Sequence, residues 1–152
     1  MKLYLIQHGL SVPEEEDHQK LLSKEGRDET ERTARFLKEK NIKAADIWHS
    51  AKARSVQTAQ MISEAVTCAK MTRRDDLNPN DPVDKFQAEL QKSDTDVMIV
   101  GHLPFLPKLV STLLTGSGAT GLVSFKNSGV VCLEFKENEG WKLSWSLPPE
   151  LM

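Results

Sequence analysis

A chain of 152 residues with 28% charged and 39% hydrophobic side chains is long enough for one domain with a proper core and far from a disordered composition. Its formal charge of -2 excludes a broad basic surface for nucleic acid or anionic lipid, so any anion must be bound locally. No apolar run approaches the roughly 18 residues of a membrane span, residues 1–6 are too short for a signal peptide, and Cys68 and Cys132 lie far apart without CxxC spacing. The expectation is therefore a cytoplasmic, monomeric protein, one domain over 1–152, with no disulfide, no metal site, no membrane contact and no nucleic-acid partner.

Leu3, Tyr4, Leu5 and Ile6 read as a buried strand, ended by Gln7-His8 and broken by Gly9. Residues 10–22, with Pro13 and the acidic run Glu14-Glu15-Glu16-Asp17, fit an exposed loop. Ser23 is placed to cap a helix, and Thr30, Thr33, Ala34 and Leu37 recur at helical spacing until Asn41. Ile47-Trp48 is a short strand ending at His49-Ser50, followed by a helix with Val56, Ala59, Ile62 and Val66 on one side. An extended piece at 69–71 leads to the turn-rich stretch 77–82, then to a helix from Val83 to about Gln91 and an apolar strand at 97–100. Pro104 suits the first turn of the next helix, Leu106, Leu109, Val110 and Leu113 supply its apolar face, and Gly116 stops it.

Period two takes over in 130–135 and again in 141–145, joined by Glu137-Asn138-Glu139-Gly140, which reads as a hairpin; Trp141 and Trp145 fall at strand spacing and belong to its core. Alternating elements followed by a hairpin define an α/β fold. The expectation is a single three-layer domain with a mostly parallel sheet flanked by helices and a C-terminal antiparallel hairpin.

In open α/β sheets ligands gather beyond the carboxyl ends of the strands. Three such ends stand out here. Gln7-His8-Gly9 closes the first strand, Gly101-His102-Leu103-Pro104 closes the strand at 97–100, and Ser50-Ala51-Lys52-Ala53-Arg54-Ser55-Val56-Gln57-Thr58-Ala59 follows the strand between them in sequence. In this combination and order the chain resembles the histidine phosphatase superfamily. That pattern has Arg-His-Gly after the first strand, an arginine in Ser-Pro-x-x-Arg-x-x-Gln-Thr-Ala, and a second histidine in Gly-His. The short length, the Leu22-Ser23-x-x-Gly26 helix start and the Gly-His-x-Pro form are similar to the small SixA-type phosphohistidine phosphatases.

The resemblance implies that His8 is the nucleophile and carries the phosphoryl group as a covalent phosphohistidine until water removes it. It also implies that Arg54 and His102 complete the catalytic set, that Gln7, His8, Arg54 and His102 hold the phosphate, and that no cofactor is required. The residue types suit these tasks. Imidazole is largely unprotonated and nucleophilic near neutral pH. A guanidinium offers paired charge-assisted hydrogen bonds to phosphoryl oxygens, and Arg54 lies early in a helix whose dipole adds to the attraction. His102, protonated or donating from one nitrogen, would stabilise charge growing on the equatorial oxygens. Gln57 and Thr58 read as helix packing and capping residues, and His18 and His49, outside the motifs, as incidental.

The chain departs from the pattern at several positions. Gln7 replaces an arginine, losing a charge and a fork; a hydrogen bond to a charged group is worth about 1.5–3 kcal/mol, so roughly tenfold to a hundredfold in rate is at stake. Ala51 stands where proline is usual, and Lys20 where SixA-type proteins have arginine; Lys20 and Lys52 are read as solvent-facing. In the loop 78–82 only Asp81 could serve as a general acid. A phosphorus–nitrogen bond asks less of such an acid than an ester does, because imidazole leaves readily.

The leading expectation is a metal-independent phosphatase for phosphohistidine on a partner protein, either a phosphotransfer domain or a phosphotransferase carrier. The alternatives are a phosphatase for small phosphoesters and a phosphate- or phosphohistidine-binding module impaired by Gln7.

Overall fold

The computed structural model describes residues 1–119 and 121–152. One six-stranded sheet runs through the molecule in the order β3-β2-β4-β1-β5-β6. β1 (Lys2–Gln7), β2 (Lys43–His49), β3 (Thr67–Arg73) and β4 (Val97–Gly101) are parallel. β5 (Val130–Lys136) runs antiparallel to β1 and forms a hairpin with β6 (Gly140–Leu147). The helices are α1 (Lys24–Glu39), α2 (Ala53–Ala65), α3 (Asp84–Gln91) and α4 (Phe105–Thr115), with a short 3-10 turn at Pro149–Leu151. This is the mixed α/β sheet expected from the alternating elements. Among the described residues no helix is long and apolar enough to cross a membrane.

Strand alternation sorts the core into two halves. Leu3, Leu5, Val97 and Ile99 pack with Phe86 and Leu90 of α3 and Leu106 and Leu109 of α4, all buried. Tyr4, Ile6, Met98 and Val100 point the other way, to Ala34 and Leu37 of α1 and Ala59 and Ile62 of α2. The central strands are apolar on both faces because helices cover both, as a parallel sheet requires.

Local signals set the helix boundaries. Ser23 caps α1 as expected, its Oγ accepting the Gly26 N–H at 3.0 Å. Gly26 is fixed by packing: a Cβ there would lie 2.0 Å from the Leu10 carbonyl oxygen, so α1 can approach the loop after β1 only at glycine. Gly116, at φ 75°, ends α4 in the left-handed conformation. Two expectations shift. The buried face of α2 is Ser55, Thr58, Ala59 and Ile62, while Val56 is only half-buried, because hydroxyls of that helix bond to the strand ends instead of leaving the contact to methyl groups. Pro104 sits at the cap of α4, one residue before its first turn.

Arg74, just beyond β3, lies over the rings of Trp48 and Phe86 at 4.3 and 4.8 Å and pairs with Asp76 and Glu89. This clamp ties the β3–α3 connection to the core. Trp141 is buried in the core, and Trp145, half-buried, packs on Tyr4 and Phe36.

Candidate active site

Strand order brings the three motif segments together. β4 lies between β2 and β1, so the residue after its end, His102, stands between the residues that follow β2 and β1, Ser50 and His8. Backbone pairing continues past the strands, with the His8 N–H donating to the Gly101 carbonyl at 3.0 Å. Both histidines continue the alternation of Ile6 and Val100, toward the side that α2 covers, and Arg54 is in the first turn of α2.

His8 is held in one tautomer. Its Nδ1 lies 2.7 Å from the Gly9 carbonyl oxygen, which can only accept, so Nδ1 carries the proton and Nε2 presents a lone pair. Arg54 Nε–H donates to that Nε2 at 3.2 Å. The His8 backbone is fixed from two directions. Asn127 Nδ2 donates to the His8 carbonyl at 2.8 Å, and Thr58 Oγ1 accepts the Gly9 N–H at 2.9 Å while donating to the Arg54 carbonyl. Gly9 cannot be replaced quietly, since a Cβ would come within 2.7 Å of Thr30 Oγ1.

His102 is 1% exposed, its ring centroid is 5.0 Å from that of His8, and its Nε2 lies 2.6 Å from Ser50 Oγ. Ser55, also fully buried, donates to the Val100 carbonyl and accepts the Ser50 N–H, joining the ends of β2 and β4.

Burial, aided by Arg54 and Lys20, holds the His8 imidazole down at about 4 against the ordinary value of 6.5; the hydrogen bond to Gly9 opposes this in part. Burial is likewise the main cause of the fall of His102 to about 3, with His8, Arg54 and Lys52 contributing. Values this low leave both rings neutral at pH 7, so His102 has one ring N–H available to donate. Burial also lowers Arg54. The lysines differ from expectation: both are half-buried, and their charges reach the two histidines.

These shifts make stability acid-sensitive. A histidine whose folded value is depressed is deprotonated in the folded chain while the unfolded chain still binds a proton. Its contribution is complete above the ordinary value near 6.5 and is lost as pH falls through about 4 for His8 and about 3 for His102. Urea unfolding between pH 7 and 4.5 should show increasing proton uptake on unfolding toward acid, and His102→Asn should remove about one proton from that slope at the acid end. An unchanged slope in the variant would show that His102 is not held neutral by the fold.

Gln7 is apart from this group. It follows the alternation of Leu3 and Leu5, its Oε1 is buried without a partner, and it lines a groove with Leu10, Leu103, Phe125 and Asn127. Among the described hydrogen bonds, none joins its side chain to His8, Arg54 or His102. Asp81 accepts the Asn78 N–H at 2.7 Å and serves its own turn. Gln57 accepts the Leu22 N–H, as a packing residue would, and His49 Nδ1 bonds the Ser50 carbonyl; His18 is exposed. Asn127 is a site-building residue outside every motif, and Ser50 and Thr58, though inside the quoted segment, have bonding roles that the segment does not reveal.

Two histidines and a guanidinium converge at the carboxyl edge of the parallel sheet, the combination that the histidine phosphatase pattern places there. The family model of the histidine phosphatase superfamily (branch 1) matches residues 3–81, just over half of the chain, and the protein belongs to that superfamily. His102 lies beyond the matched segment. The protein histidine phosphatase SixA, solved with tungstate, is 22% identical with a TM-score of 0.87, each chain covered over 100%. A SixA-type protein of Agrobacterium tumefaciens is 22% identical over 97% of each chain, TM-score 0.77. A phosphoserine phosphatase of Entamoeba histolytica is 17% identical over 96% of each chain, TM-score 0.70. At these identities the likeness establishes a shared fold. No curated protein matches the sequence.

Proposed function

We propose that the protein hydrolyses phosphohistidine on a partner protein, a phosphotransfer domain or phosphotransferase carrier, through a covalent phosphoryl intermediate on His8. Membership of the superfamily supports phosphatase chemistry, and one observation carries the assignment to His8: the Nδ1–Gly9 bond leaves Nε2 as a neutral, fixed lone pair.

In the first step His8 Nε2 attacks phosphorus, the bond between phosphorus and the partner's imidazole breaks, and the departing imidazole takes a proton from water. In the second step water attacks the phosphorus on His8, Nε2 recovers its lone pair, and inorganic phosphate leaves, a proton of the attacking water neutralising the hydroxide left by the first step. Arg54 changes partners on the way. Its Nε–H rests on the neutral His8 nitrogen, and the anionic oxygens of an arriving phosphoryl group are stronger acceptors, so they draw the guanidinium off and free the nucleophile. His102 donates to an equatorial oxygen, and Lys20 and Lys52 add positive potential. The groups named here supply the nucleophile and the charge without a metal.

The charges acting on both rings are cationic, and Asp81, the acid weighed for the leaving group, is bonded to its own turn. That favours a substrate whose leaving group needs little protonation. Phosphohistidine is such a substrate and a stable phosphoester is not. The binding-module reading draws on the missing charge at Gln7 and on Arg54 covering Nε2.

One experiment separates the readings. The protein is mixed with a phosphohistidine protein, quenched in base, and peptide-mapped while phosphate release is followed. An acid-labile, base-stable adduct on His8 with steady release is expected. Oxyanion binding without an adduct would replace the proposal with a binding module, and equal turnover of phosphoserine would replace it with a phosphoester phosphatase.

A further inference from the structure

We infer that Ser50 is a positioning residue that fixes the tautomer of His102, leaving the Nδ1–H of that neutral ring as the donor for an oxyanion held at His8. The inference rests on the oxyanion-handling role proposed for the site.

Hydrogen-bond accounting carries it. Ser50 is fully buried, and its Oγ has two neighbours, His102 Nε2 at 2.6 Å and the Lys52 backbone N–H at 3.3 Å. The Lys52 amide can only donate, so it occupies one lone pair of Oγ and leaves the hydroxyl proton to be placed. If His102 Nε2 donated to Oγ, the serine proton would be buried with no acceptor in reach among the described residues, and Nδ1 would be a bare buried acceptor, also unpartnered among them. Two polar groups would then go unsatisfied. If Ser50 donates to Nε2, its hydroxyl is satisfied as donor and acceptor, and a single group remains unpaired, the Nδ1–H. The second arrangement is the one a buried site tolerates.

The remainder of Ser50 is immobilised. Its N–H donates to Ser55 Oγ, its carbonyl accepts from His49 Nδ1, and Ser55 Oγ in turn donates to the Val100 carbonyl, two residues before His102. The hydroxyl therefore meets His102 from a frame tied to the same strand that carries His102. This gives His49 a use as well, as a brace for the serine.

The unpaired Nδ1–H belongs to a ring whose centroid is 5.0 Å from that of the proposed nucleophile. In the resting protein Arg54 lies against His8, and an arriving oxyanion displaces it and brings an acceptor beside His102. The ring needs no charge for this, which agrees with its depressed basicity. Ser50 thereby decides which of the two nitrogens holds the proton.

The test needs no turnover. Nitrogen-resolved imidazole NMR of the resting wild-type protein should show His102 protonated at Nδ1 and bare at Nε2. In Ser50→Ala the proton should redistribute toward Nε2, and tungstate, used as the oxyanion probe, should bind about tenfold more weakly. Ser50→Thr, which restores a hydroxyl, should recover both. A wild-type ring protonated at Nε2 would overturn the inference whether or not any variant folds. So would a Ser50→Ala protein with unchanged tautomer or unchanged tungstate affinity. Phosphate release is not measured here, so failure of the proposed hydrolysis and failure of this inference are seen in different experiments.

Discussion

His8→Ala is expected to lower phosphate release from a phosphohistidine protein by roughly a thousandfold or more and to abolish the base-stable adduct. The size follows from the role: with the imidazole gone, the phosphoryl group can be transferred only to water directly, in a site built to hold water's competitor. Folding should survive, because His8 is half-buried and its backbone, not its ring, makes the bonds to Gly101 and Asn127. Arg54 loses its resting partner at Nε2 and becomes freer, so the variant should bind tungstate at least as well as the wild type. Binding retained with catalysis lost is the signature of a nucleophile. Release within tenfold of wild type would remove His8 from that role.

The histidines were legible because each sits where an apolar run meets glycine, and the strand pattern alone placed both at one edge. α1 was legible for a similar reason: Ser23 and the spacing of Thr30, Thr33, Ala34 and Leu37 are local signals, and all four of those residues are buried. What holds the histidines was not. Ser50 and Thr58 stand in the quoted segment, but their partners lie 52 and 49 positions away; Asn127 bonds a residue 119 positions away, and an asparagine in a loop has the same appearance in sequence whether or not such a partner exists. Thr58 reads as a helix packing residue and is buried in α2, yet its hydroxyl also holds Gly9.

Lys20 and Lys52 show the limit from the other side. Composition treats a lysine in a loop as solvated. Here the loop before α1 and the start of α2 converge on the histidines, and both charges reach them. Lys20 has φ 51°, a left-handed conformation that a lysine seldom adopts, within a turn closed by its N–H to Asp17. The identity of the residue was visible and its environment was a product of topology.

The same convergence bears on Gln7 and on the second large effect expected. Arg54→Ala should reduce phosphate release by about a hundredfold to a thousandfold, with Arg54→Lys intermediate, because lysine keeps the charge and loses the planar fork. The loss should be steep because Arg54 is the guanidinium bonded to His8, and position 7, which in the family pattern holds another, is a neutral amide with no hydrogen bond to His8, Arg54 or His102 among the described residues. Lys20 and Lys52 soften the loss by field alone. Gln7→Arg should therefore raise release in the wild-type background by about tenfold and recover part of the loss in Arg54→Ala. The two positions would then be non-additive, as groups that share one anion must be. Full additivity in the double variant, or no change with arginine at position 7, would show that position 7 lies too far from the phosphoryl group to matter and that Arg54 alone defines the clamp.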